Sequence, residues 1–176
     1  APRMRRAAAT FVVIAAVAFV LAYLWAALRY PGGSQTDAHA VGFSFLHNYW
    51  CDLLVAHTYA GAANPARPIA LGAMIVLMIG SSTLWVIAPS LTPEAWVRGR
   101  IVRVLGPIGG AVTPLIATRS LHDLAIDVAG GCAGLAFLLT ASAIGARQGR
   151  ALQVFSWCTL LLAFLNWAVW RTRVGV

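Results

Sequence analysis

Val41-Gly-Phe-Ser-Phe-Leu-His-Asn-Tyr-Trp-Cys-Asp-Leu-Leu-Val-Ala-His-Thr-Tyr59 decides how many times this chain crosses a membrane. The stretch is oily enough to enter a bilayer, yet it carries His47, Asn48, Asp52 and His57. A charged or imidazole group in lipid lacks water to solvate it. Such groups therefore face protein or a wet cavity, and they mark either function or costly architecture. If the stretch crosses, the chain has six spans; if it lies on one leaflet or re-enters it, the chain has five.

The surrounding composition makes lipid the solvent for the rest. Of 176 residues, 60% are hydrophobic and only 10% charged, too little polar surface for a soluble domain of this length. The net charge of +8 comes from thirteen basic residues, all Arg. They sit in twos and threes between apolar runs, which suits membrane-flanking anchors and argues against a nucleic-acid partner. The absence of Lys excludes a retinal Schiff base and other lysine chemistry. Three Cys cannot all pair internally. Cys132 and Cys158 fall in apolar runs as packing residues, whereas Cys51 lies in the polar stretch as a reactive thiol or a ligand.

Five runs are long enough to cross a bilayer, which takes about 20 helical residues. They cover about 7–28, 69–88, 101–118, 121–144 and 152–170, with 29–68 as an outer segment. The third carries Pro107 and Pro114, which should bend it. Arg3, Arg5 and Arg6 before the first run resemble a signal peptide, but the run is longer than a signal's apolar core and predicts an uncleaved anchor. With five spans and the N-terminus cytoplasmic, the inner side holds Arg3, Arg5, Arg6, Arg98, Arg100, Arg103, Arg147 and Arg150. The outer side holds Arg29, Arg67, Arg119, Arg171 and Arg173, giving 8 against 5. A sixth span at Val41–Tyr59 makes the count 7 against 6. The positive-inside rule thus favours five spans, with Trp25, Trp167 and Trp170 near outer ends and Trp85 near an inner one, as in an interfacial belt.

The expected fold is therefore all-α: a single integral membrane domain, a polytopic bundle of five spans (six if Val41–Tyr59 crosses). Its outer segment opens with a Tyr30-Pro31-Gly32-Gly33-Ser34 turn and closes with Asn64-Pro65 and Pro68, a helix start. Between them an interfacial or re-entrant helix would cover the bundle mouth, since bare backbone does not survive in lipid.

Candidate site residues lie at one face. Asn48 and Asp52 are four apart and align on a helix, with His47 and Cys51 on the next stripe. In the fourth span Asp123 and Asp127 share a face with Gly130, Gly131 and Gly134. His47, Asp52, His57, His122 and Asp127 supply donors for zinc, and a His could ligate haem or a chlorophyll-type pigment. Their spacing matches no zinc signature: His-Glu-x-x-His, paired Cys-x-x-Cys and His-x-x-x-His are all absent. The alternative is a hydrogen-bonded plug in which Asn48 and Asp52 satisfy loop amides and His47 caps the bundle. Asp127 is either a proton or cation site, a ligand, or a carboxylate paired with Arg119, Arg29 or a capping amide. Gly106 with Gly110, and Gly130 with Gly134, make small-xxx-small steps that would pack the third span on the fourth. Asn166 is expected to bond between helices.

The order of features resembles that of small polytopic membrane proteins of the DRAM/Sfk-like and related uncharacterised bacterial group. The matching residues are Tyr30-Pro31-Gly32, Ser44 to Asp52, and Asn64-Pro65, all within roughly the first ninety. That resemblance implies a non-catalytic membrane protein affecting lipid organisation or trafficking, in a group that usually has six spans. A fainter likeness is to ceramidase-like hydrolases, which set a Ser, an Asp and three His around zinc. Ser44, His47, Asp52, His122 and Asp127 offer those residue types, but no His follows His122.

The function expected is a non-enzymatic integral membrane protein of the bacterial inner membrane. It would interact with lipids or serve as an accessory subunit of a larger membrane complex. The rival is a metal-dependent membrane hydrolase acting on lipids through the His/Asp cluster. A proton-coupled carrier using Asp127 is a third class, but five spans without an internal repeat are few for alternating access.

Overall fold

The computed structural model describes residues 2–91, 96–144 and 149–172. Arg147, Arg173 and the Trp170 side chain lie outside that description. Five helices follow in order: α1 (Pro2–Arg29), α2 (Arg67–Ile87), α3 (Trp96–Val112), α4 (His122–Ala143) and α5 (Arg150–Thr172). Each holds a segment long and apolar enough to cross a membrane. Short 3-10 turns occupy Trp50–Leu54, Ala88–Leu91 and Thr113–Ala117. The helix is continuous through Pro107, and Pro114 falls where α3 gives way to its 3-10 turn.

Val41–Tyr59 does not cross. Its only helix is the five-residue Trp50–Leu54 turn, so residues 30–66 form a cap over one end of the bundle. A continuous helix fails there because local side chains capture the backbone first: the Ser44 N–H donates to Asn48 Oδ1 at 3.0 Å. Asn and Asp compete with helical hydrogen bonding in this way. Two isolated bridges, Gly32 to Val41 and His57 to Ala63, close the cap's loops. Gly32 and Gly33 both have positive φ, 137° and 86°, and a side chain at Gly32 would run into the Ala40 carbonyl. The Tyr-Pro-Gly-Gly turn thus requires glycine at both positions.

Between lipid-facing helices no hydrophobic force drives association, so contacts depend on small residues that let backbones approach. The seams here are built that way. α1 meets α2 where Gly80 makes room for Ala15; a Cβ on Gly80 would stand 2.6 Å from the Ala15 Cβ. Toward the cap the same seam holds Tyr23, Ala26 and Ala27 against Ala66, Ala70, Ala73 and Met74, with Leu53 and Leu54 of the cap buried among them. α2 meets α3 where Gly106 receives the ring of Trp85 and Gly110 faces the Ser82 hydroxyl. α3 meets α4 through Gly109, which lies against Ala129, Cys132 and Ala133.

Three expectations are corrected by these seams. Gly106 and Gly110 pack on α2 rather than α4. Gly130 and Gly134 form no close helix contact: a Cβ on either meets nothing within 4 Å. Trp85 is no interfacial anchor but a core side chain, 7% exposed, buried with Val102 and Ala136. Asn166, expected between helices, is exposed on α5. Trp25 and Trp167 remain exposed near the cap end.

Candidate functional site

The polar residues of the cap are held by one another and by their own backbone. Asn48 is the hub. Its Nδ2 donates to the Gly33 carbonyl at 2.9 Å and to Asp52 Oδ2 at 3.0 Å, while its Oδ1 accepts the Ser44 N–H. Asp52 sits at the third position of the Trp50–Leu54 turn and accepts the Tyr49 N–H at 3.0 Å, half of a capping box. The contact anticipated between Asn48 and Asp52 therefore exists, though a tight turn makes it rather than a helical stripe.

A second hub, Asn64, was legible only as a helix start. Its Nδ2 donates to the carbonyls of Asp52, Leu53 and Val55 at 3.2, 3.3 and 2.9 Å, and its Oδ1 accepts the Ala66 N–H. Arg67 Nε adds a bond to the Leu54 carbonyl at 3.0 Å, and the Tyr30 hydroxyl donates to the Gly33 carbonyl at 3.1 Å. Together they satisfy carbonyls that would otherwise be buried without partners. An Asn just before Pro and a helix was the available signal for Asn64. Nothing in the sequence showed that its amide reaches back twelve residues.

The five candidate metal ligands do not converge. Asp52 is 4% exposed, whereas His47 and His57 both lie on the surface. His122 is half-buried, with Nδ1 at 2.6 Å from the Ile116 carbonyl; since a carbonyl only accepts, Nδ1 carries the proton and only Nε2 is left to act. Asp123 is exposed in the first turn of α4, where a carboxylate suits the helix dipole. Asp127 faces α5: Trp167 Nε1 donates to its Oδ1 at 3.3 Å, and Arg171 stands 3.6 Å from its Oδ2. That partner, rather than Arg119 or Arg29, makes Asp127 a clasp between the last two helices. Among the described residues no three His, Cys, Asp or Glu side chains could together hold a metal ion. Of the other four candidates, His122 lies near enough to Asp52 for an imidazolium charge to favour the carboxylate.

Burial pushes the Asp52 carboxyl above its ordinary value, and the Asn48 and Tyr49 hydrogen bonds and His122 pull it back less strongly. Burial, then the charge of Asp52, pushes the Cys51 thiol up to about 12. A thiol held protonated is a poor nucleophile and a poor ligand. The same two causes push the Tyr30 hydroxyl up to about 12.

Because Asp52 is harder to ionise in the folded cap, its stability contribution is full below its ordinary value of 3.8. It is lost as pH rises through the higher folded value. Asp52→Asn keeps an oxygen for Asn48 and Tyr49 and removes the charge. The variant is therefore expected to melt with less pH dependence than the parent, gaining relative to it as pH rises from 4 to 8. A parent and variant whose melting points in detergent move in parallel would refute the assignment.

Thr58 Oγ1 is the one buried side-chain polar atom among the described residues without a hydrogen-bond partner. An unmet buried hydroxyl costs about 1–3 kcal/mol. Thr58→Val preserves the shape and is expected to raise stability by about 1 kcal/mol, read as a higher thermal midpoint.

No protein-family model matches the chain, and comparisons with curated proteins and with solved structures give no match.

Proposed function

We propose that this chain is a non-enzymatic accessory subunit of a bacterial inner-membrane complex, with the N-terminus cytoplasmic and the cap outside. In this reading α5 is the helix that docks on the larger partner. One observation carries it: 6% of the α5 span is buried inside the bundle, against 22–28% for the other four. α5 packs chiefly on α4 and is clasped near the cap end by Asp127. Its outward face presents Trp157, Leu161, Leu162, Phe164 and Leu165, all exposed.

The cap supports the same reading. Asn48, Asp52 and Asn64 are spent on the cap's own groups, so Asp52, one of the candidate ligands, serves as architecture. The residues that carry the family resemblance (Gly32, Asn48, Asp52 and Asn64) are the same ones that hold the cap together. Lipid covers the remaining apolar flanks of α1 to α4.

Photo-crosslinking amino acids at Leu161 and Leu165 test the proposal, with Val13 on the exposed flank of α1 as the comparison. Both α5 positions are expected to trap the same membrane polypeptide in native membranes, and Val13 to trap lipid. Lipid adducts alone from all three positions, with a monomer in native mass spectrometry, would remove the basis for an accessory role.

A further inference from the structure

We infer that the cap is not a water-exposed lid but is seated in the lipid leaflet, with Phe45, Leu46 and Trp50 as its inserted edge. Its partner there is the glycerol and upper acyl-chain layer of the bilayer that α1 crosses. The inference concerns a different surface from α5 and stands whether or not α5 docks on a partner.

Exposure comes first. Leu46 is 89% exposed, Phe45 62% and Trp50 48%, and nearby Val41 reaches 96%. A cluster of large apolar side chains on a small surface calls for an apolar partner. Depth decides which one. Trp50 packs on Tyr23 of α1 at 5.3 Å between ring centroids, and Tyr23 packs on Phe19 at 4.7 Å. Tyr23 precedes Arg29, the last residue of α1, by six positions, or about 9 Å along the helix axis. The cap therefore reaches about a turn and a half below the end of a membrane span. Phe45 stands 6.1 Å from Trp50 and 5.3 Å from Phe43. An aromatic ladder thus runs without a break from within the span to the tip of the cap. α1 itself exposes Val20, Leu21, Leu24 and Trp25 over the same stretch, so this edge continues a surface that lipid already covers.

The turn bonds part of its own backbone. Lipid offers no hydrogen bonds, so a loop in it must satisfy its own polar groups. In the turn that carries Phe45 and Leu46, the His47 and Asn48 N–H groups donate to the Ser44 carbonyl, and the Ser44 N–H donates to the Asn48 side chain. An exposed edge of aromatic and apolar side chains is how interfacial segments anchor, about 5–10 Å into the headgroup and acyl boundary.

Depth-dependent quenching tests this on the full chain in phospholipid vesicles. Cysteine is placed at Leu46, at Gln35 in the exposed polar turn, or at Ile14 in the α1 span, in a background carrying Cys132→Ala and Cys158→Ala. Each is labelled with a polarity-sensitive dye, and the unsubstituted background supplies the blank for Cys51. The Leu46 label is expected to emit as in an apolar medium. It should be quenched several-fold more by lipid spin-labelled near the glycerol than by lipid labelled deep in the chain, with the reverse order at Ile14 and no lipid quenching at Gln35. Phe45→Cys is expected to repeat the Leu46 result. A Leu46 label that behaves like the Gln35 label overturns the proposal. So does one shielded from both lipid and aqueous iodide, which would place another protein on this edge.

Discussion

Replacing Gly106 by leucine is expected to be the most damaging single change in the chain. Even alanine there places a Cβ on top of Cβ, Cγ and Cδ1 of Trp85. Those atoms are the root of the indole rather than a flexible tip, so relief requires α2 and α3 to separate. Overpacking of this kind costs about 1–3 kcal/mol and sometimes more. Leucine belongs at the upper end, because Trp85 is also the centre of the core shared with Val102, Ala136 and Phe137. The expected reading is a lower thermal midpoint in mild detergent for Gly106→Ala and failure to purify as a folded species for Gly106→Leu. Trp85→Leu should recover part of the Gly106→Ala loss. The same alanine substitution at Gly130 or Gly134 meets open space. It should leave stability unchanged or raise it by about 0.5–1 kcal/mol, the gain of alanine over glycine in a helix. Equal losses at Gly106 and Gly134 would contradict this account of the seams.

Asn48→Ala is expected to open the cap without dissolving the bundle. One amide side chain links Gly33, Ser44 and Asp52, so its removal strands the Ser44 N–H and takes one donor each from the Gly33 carbonyl, which keeps Tyr30, and from the buried Asp52 carboxylate, which keeps the Tyr49 N–H. With each unmet buried group costing about 1–3 kcal/mol, a net loss of about 3 kcal/mol is expected, roughly a hundredfold in the local opening equilibrium. Cys51 reports on it. In the parent its thiol is held protonated by burial and by Asp52, so alkylation at pH 8 should be slow. In Asn48→Ala it should accelerate by roughly two orders of magnitude while helical circular dichroism is retained. Unchanged Cys51 alkylation would show that the Asn48 bonds do not hold the cap closed.

What the sequence disclosed follows from what kind of force is involved. Span number and rough limits came from apolar run length, because a bilayer imposes a length on any helix that crosses it. Helix rotation leaves no such mark. The Gly106–Gly110 step could equally have faced α2 or α4, and it was the bulk of Trp85 that settled the matter. Trp85 itself looked like an interfacial anchor from its place near a span end. Asp127 was recognisable as a residue needing shelter. Its partners, Trp167 and Arg171, depend on the register of two antiparallel helices, which depends in turn on the length and shape of their connection. In the cap, the polar residues were visible but their geometry was not: Asn48 and Asp52 meet through a turn and a 3-10 segment, and Asn64 acts across twelve residues.

The side-chain hydrogen bonds that close the cap join residues between Tyr30 and Arg67, and its floor is the α1–α2 seam, with Ile116 and Ala117 packed alongside. No bond from the later helices is needed to shape it. During synthesis the first hairpin can therefore lock into its final form while the remainder of the chain is still being made. The later helices are then expected to dock on a hairpin whose hydrogen bonds are already made.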